Sequence, residues 1–82
     1  MPLDDRSEQI DPKALTHLWA QVAADIRQQI ADGNLSAGER LPNEIELAKL
    51  YGVARLTARR AIADLVSSGH LVVLRGRGTY VK

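Results

Sequence analysis

The sequence predicts an α+β domain: three helices, over about 16–32, 44–51 and 55–68, closed by a C-terminal β-hairpin over about 70–75 and 79–82. Three observations predict it. Apolar residues recur at helical spacing in three separate runs, and each run is followed by a glycine, Gly33, Gly52 or Gly69. After Gly69 the period shifts to an extended pattern, Leu71-Val72-Val73-Leu74-Arg75. The stretch Gly76-Arg77-Gly78 then separates this run from Thr79-Tyr80-Val81-Lys82, as the tip of a hairpin does.

At 82 residues the chain makes one small domain, which buries only about 60–65% of its unfolded surface. It has no cysteine, so disulfide staples and thiolate metal sites are excluded, in keeping with a reducing cytoplasm. The longest apolar run, Leu71 to Leu74, is far too short to cross a bilayer. Residues 1–14 are polar, broken by Pro2 and Pro12, and lack a hydrophobic signal core. They are expected to form a mobile N-terminal tail, leaving 15–82 as the folded domain of a cytoplasmic protein.

The first helix places Leu18, Trp19, Val22, Ile26 and Ile30 on one side and Gln21, Asp25, Arg27 and Gln28 on the other. Thr16 is the expected N-cap, Gly33 the stop, and Trp19 a core anchor. Asn34 to Arg40 reads as a turn region, with Leu35 and Leu41 plugging the core and Glu39-Arg40-Leu41 pairing briefly as an edge strand. Asn43 and Glu46 fit a capping box ahead of Leu47, Ala48, Leu50 and Tyr51. Gly52 stands where a left-handed stop is needed. Ala58, Ala61, Ile62, Leu65 and Val66 form the apolar face of the third helix, and Arg59, Arg60, Ala63 and Ser67 point elsewhere. Arg55 sits in its first turn.

Two helices joined by a tight turn and followed directly by a hairpin make a winged helix-turn-helix. The net charge is only +1, but its distribution is uneven. Residues 1–14 carry Asp4, Asp5, Glu8 and Asp11 against Arg6 and Lys13, whereas 55–82 carry Arg55, Arg59, Arg60, Arg75, Arg77 and Lys82 against Asp64. Gathering cations on the last helix and on the wing tip points to DNA, because a local basic face matters more than the overall balance. A protein-interaction module is the competing class. Catalysis is disfavoured: His17 is expected to face solvent and His70 to open the wing strand, with no metal-binding spacing and no nucleotide-binding glycine loop. No cofactor or metal is implied.

The sequence resembles the DNA-binding domain of the GntR family of bacterial transcription regulators. The resemblance rests on Trp19, Ile26, Ile30-Ala31-Asp32-Gly33, Leu35, Gly38, Leu41-Pro42, Glu46-Leu47-Ala48, Gly52-Val53, Arg55, Thr57, Arg59, Ala61, Leu65, Gly69 and Gly76-Arg77-Gly78-Thr79-Tyr80-Val81. It implies that Arg55 and Arg59 contact DNA from the start of the recognition helix and that Thr57 touches the phosphate backbone. It also implies that Gly76 lets the tip approach the minor groove between Arg75 and Arg77, and that the outcome is repression. Two positions depart from the family pattern. Ala54 replaces the usual Ser or Thr N-cap, a loss of about 1 kcal/mol, and Ile45 replaces a DNA-contacting arginine. With Glu44 and Arg59-Arg60-Ala61, the latter resembles the HutC-type branch. Family members usually continue into an effector-binding, dimerising domain; the sequence ends at Lys82, on the last wing strand, so it is expected to be either a stand-alone reader or an excised module, with its natural-looking start favouring the former slightly.

The expected mechanism follows from residue chemistry. Arg55 and Arg59 enter the major groove, where an arginine fork bonds guanine O6 and N7. Arg60, about 100° round the helix from Arg59, holds phosphate. The start of helix 2 near Asn43 seats another phosphate. One module makes few contacts, so a homodimer on an inverted repeat is expected.

Overall fold

The computed structural model describes residues 4–82. After a 3-10 turn at Ser7–Gln9 come α1 (Leu18–Ala31), α2 (Glu44–Tyr51), α3 (Arg55–Ser67), β1 (Leu71–Leu74) and β2 (Gly78–Val81). The order and type of every expected element hold. The two strands pair antiparallel from Leu71 opposite Val81 to Leu74 opposite Gly78, which leaves Arg75, Gly76 and Arg77 as the tip. The expected edge pairing forms too. Gly38 N–H donates to the Val81 carbonyl, Val81 N–H to Glu39, and Leu41 N–H to Thr79, with a bridge between Arg40 and Tyr80.

Helix α3 is the centre of the packing, set against α1, α2 and β1. Its inner face is small: Ala58 and Ala61 are wholly buried, so the neighbouring helices approach closely, and Leu65 fills the space beyond them. Around it close Val22, Ala23 and Ile26 of α1, Leu47, Ala48 and Tyr51 of α2, the plugs Leu35 and Leu41, and Leu71 and Val81 of the wing. Val66, expected in this face, is 37% exposed; Leu65 occupies the position that points inward, and one residue further the helix has already turned away.

Helix α1 differs from expectation at both its start and its anchor. Thr16 is not the N-cap: the helix begins at Leu18, with His17 in the cap position and no side-chain cap. Gln21 is the physical cause. Its amide donates to the carbonyls of Asp11 and Thr16, both at 2.9 Å, and its Oε1 accepts from Asp11 N–H at 2.7 Å, which holds 11–16 out of the helix. Trp19 is only half-buried and Leu18 is exposed. The core engages α1 further along, where Gln29 is buried and satisfied by Asn34, whose side-chain amide donates to it at 3.0 Å.

The segment expected as a mobile tail packs onto the helices over its described part; Met1 to Leu3 lie outside the described residues. The Arg6 guanidinium forks onto Asp25, at 2.7 and 3.0 Å, and its backbone N–H donates to the Leu50 carbonyl at 2.7 Å. The Tyr51 hydroxyl donates to the same Asp25 carboxylate at 2.7 Å. Burial first, and then this bond, pushes the Tyr51 phenol well above its usual value. Arg6, Asp25 and Tyr51 thus tie the N-terminal segment, α1 and α2 at one point. Sequence reading missed it because Arg6 and Asp25, 19 residues apart, each look like an ordinary solvated charge.

Candidate nucleic-acid interface

Local chemistry sets the angle between α2 and α3. Asn43 Oδ1 accepts from the Glu46 N–H at 2.9 Å, as a capping residue does. Gly52 takes φ 66°; its N–H donates to Lys49 and the Val53 N–H to Ala48, the two bonds of a Schellman stop. A Cβ on Gly52 would also lie 3.2 Å from Ser7 Cβ. Helix α3 then starts from Ala54, which offers no side-chain cap, as its identity requires. Thr57, half-buried, bonds back through its N–H to the Ala54 carbonyl at 3.0 Å.

This turn brings the first residue of α2 against the first turn of α3. Glu44 Oε1 accepts from Arg55 Nε at 2.6 Å, and its two oxygens accept from Arg59 Nε at 3.1 Å and Nη2 at 3.0 Å. The two arginines, with Arg59 first, hold the Glu44 carboxyl below its usual range, and Glu44 in turn raises Arg59. Arg55 keeps both terminal Nη groups free of Glu44, and Arg59 keeps Nη1 and the second N–H of Nη2. Among the described residues the end-on fork of each guanidinium therefore remains open, with its orientation held from the side. Both arginines stay exposed while Glu44 is largely covered. Glu44 is the member of this cluster that sequence reading did not assign to it. No periodicity relates it to residues 11 and 15 positions later; only the helix-turn-helix angle does.

The remaining candidates are placed separately. Arg60 points to α1, its guanidinium carbon 4.6 Å from the centroid of the Trp19 ring. The Asn43 oxygen is engaged in the cap, and Glu44 and Glu46 already bring negative charge to the first turn of α2. A phosphate at that helix end would meet these carboxylates, so it depends on the Asn43 amide N–H groups. At the wing, Arg75, Gly76 and Arg77 are all exposed. Arg77 N–H closes the tip on the Leu74 carbonyl at 2.9 Å, and the Tyr80 hydroxyl donates to the Arg77 carbonyl at 3.3 Å. Gly78 has φ 128°, and a Cβ there would fall 2.9 Å from Arg40 Nε. Its bare backbone thus lets Arg40 lie against the base of the wing and add a cation that the sequence reading did not assign. His17 is exposed at the start of α1 and His70 immediately precedes β1, as expected. Among the described residues, no group of three or more His, Asp or Glu side chains is placed to hold a metal ion, and no helix is long and apolar enough to cross a membrane.

Residues 18–81 match the family described as bacterial regulatory proteins, gntR family. Over 65 residues the chain is 46% identical to the mannosyl-D-glycerate transport/metabolism system repressor MngR of Escherichia coli, covering 79% of this chain and 27% of that protein. It is 39% identical over 64 residues to the transcriptional repressor NagR of Bacillus subtilis, covering 78% of this chain and 26% of NagR. The chain thus spans about a quarter of the length of these relatives. Among solved structures, YtrA from Sulfolobus acidocaldarius, described as a GntR-family transcription factor, superposes with a TM-score of 0.83 at 38% identity, covering 89% of this chain and 77% of that one. The AraR DNA-binding domain in complex with operator ORX1 superposes with a TM-score of 0.80 at 38% identity, covering 88% of this chain and 89% of that one.

Proposed function

Because the chain belongs to the gntR family of bacterial regulatory proteins, we propose that it is the DNA-reading part of a cytoplasmic transcriptional repressor, not an enzyme. The observation that carries this reading is the paired presentation of Arg55 and Arg59, whose end-on forks stay open while Glu44 holds their sides. An arginine fork of that kind matches guanine O6 and N7 in the major groove. Operator complexes of the AraR DNA-binding domain, which shares this fold, support the placement on DNA.

The other residues divide the work by chemistry. Thr57, Arg60 and the Asn43 amide hold phosphate oxygens, which position the domain without reading sequence. Arg75 and Arg77 flank Gly76 at a tip narrow enough for the minor groove. Residues 15–82 form the reading head, and 5–12 act as its brace. Two copies bind an inverted repeat as a homodimer, because one head makes too few contacts for tight binding.

Selecting bound duplexes from a random pool tests this. The expected result is an enriched inverted repeat whose half-sites lie about one or two helical turns apart; no salt-sensitive binding to any duplex would instead make the fold a protein-interaction module. The wing has its own test. Arg77→Ala is expected to weaken operator and random duplex alike and to lower the salt slope by about one. A loss confined to the operator would make Arg77 a base reader.

A further inference from the structure

Three arginines lie on α3, and they are held in two different ways. Arg55 and Arg59 share the Glu44 carboxylate. The acid on Arg60's own helix, Asp64, stands four residues on and within reach, but it faces Arg27 of α1 at 3.6 Å. Among the described residues Arg60 has no hydrogen bond or ion pair, and its guanidinium lies over the Trp19 indole. Trp19 is itself an odd filler for its site. It is half-buried, its Nε1–H is buried without a partner among the described residues, and the His17 ring lies nearly parallel to it, 6.4 Å between centroids and 12° between planes.

We propose that Trp19 is a positioning residue for DNA binding, its indole face holding the Arg60 guanidinium in place for a DNA phosphate. The proposal rests on the phosphate role given to Arg60 above. A carboxylate would fix an arginine equally well but would cancel its charge toward an anion. An indole fixes it through the ring quadrupole and leaves the full positive charge available. It also removes rotamer freedom before DNA arrives, so less is lost on binding. His17, stacked on the same indole, helps to fix the ring plane.

The test is a double-mutant cycle on a random-sequence duplex, read as affinity across a salt series. Arg60→Ala is expected to lower affinity about fivefold and to reduce the salt slope by about one. Trp19→Leu is expected to lower affinity about two- to fivefold with the salt slope unchanged, because the cation is still there. Combined with Arg60→Ala, Trp19→Leu is expected to cost nothing further. Trp19→Phe, which keeps an aromatic face, should recover most of the loss, and thermal melts of each variant report folding. If Arg60→Ala changes neither affinity nor slope, the phosphate role of Arg60 fails. If it does change them, and Trp19→Leu costs nothing or costs the same in both backgrounds, that role stands and the positioning role of Trp19 is overturned. An equal loss from Trp19→Phe and Trp19→Leu would overturn it as well.

Discussion

Replacing Arg59 by Lys is expected to lower affinity for the selected operator about 5- to 150-fold while leaving random-duplex affinity nearly unchanged. The range is the worth of one bidentate arginine–guanine contact, about 1–3 kcal/mol. Lysine keeps the charge, which governs binding to any duplex, but cannot reproduce the planar fork. It also cannot bond Glu44 through two nitrogens, as Arg59 Nε and Nη2 do. Arg55→Lys is expected to behave similarly, since Arg55 gives Glu44 its Nε. Removing the carboxylate separates affinity from accuracy. In Glu44→Gln the anchor keeps one acceptor oxygen but loses its charge and the second oxygen that takes Arg59 Nε, so both arginines are held less firmly and the face gains one net positive charge. Random-duplex affinity is therefore expected to rise, the salt slope to steepen, and the ratio of operator to random binding to fall. Parallel titrations on the two duplexes measure all three. An Arg59→Lys variant that binds operator as well as the wild type would show that this side chain does not read a base.

Asp25→Ala is expected to have the largest effect on stability, about 2–3 kcal/mol, which is discounted from the cost of breaking a fully buried pair because Arg6 and Asp25 keep 21% and 11% side-chain exposure. In a domain of this size that corresponds to a fall in Tm of about 10–20 °C. The substitution strands two partners at once, the Arg6 guanidinium and the Tyr51 hydroxyl. Arg6→Ala is expected to cost less, since Asp25 still accepts from Tyr51. The same cluster sets an alkaline limit. Tyr51 has a raised pKa in the folded state, so the protonated phenol contributes stability that is complete below its unfolded value of about 10 and is lost as pH rises above it. In Tyr51→Phe that alkaline decline is expected to shrink, whatever the variant loses at neutral pH. Thermal melts at pH 7 and across pH 9–11 measure both effects, and an Asp25→Ala variant that melts with the wild type would remove the cluster from the account of stability.

Element order, the helix stops, the hairpin and the arginines of α3 and the wing tip were legible in the chain because each follows from local physics. Periodicity reports which face is apolar, glycine reports where the backbone turns, and charge along a segment reports where cations gather. The spacing of Ala58, Ala61 and Leu65 places them on the inner face of α3, and the glycine at 52 marks the stop of α2. Partner choice is a different kind of information. Glu44 meets Arg55 and Arg59, Asp25 gathers Arg6 and Tyr51, and Trp19 leaves the core to carry Arg60. Each of these depends on the angle at which one helix crosses another, and a polar side chain in a sequence carries no mark of which distant group will satisfy it. Burial patterns are written along one helix at a time; hydrogen bonds between helices exist only after packing has set the distance between them.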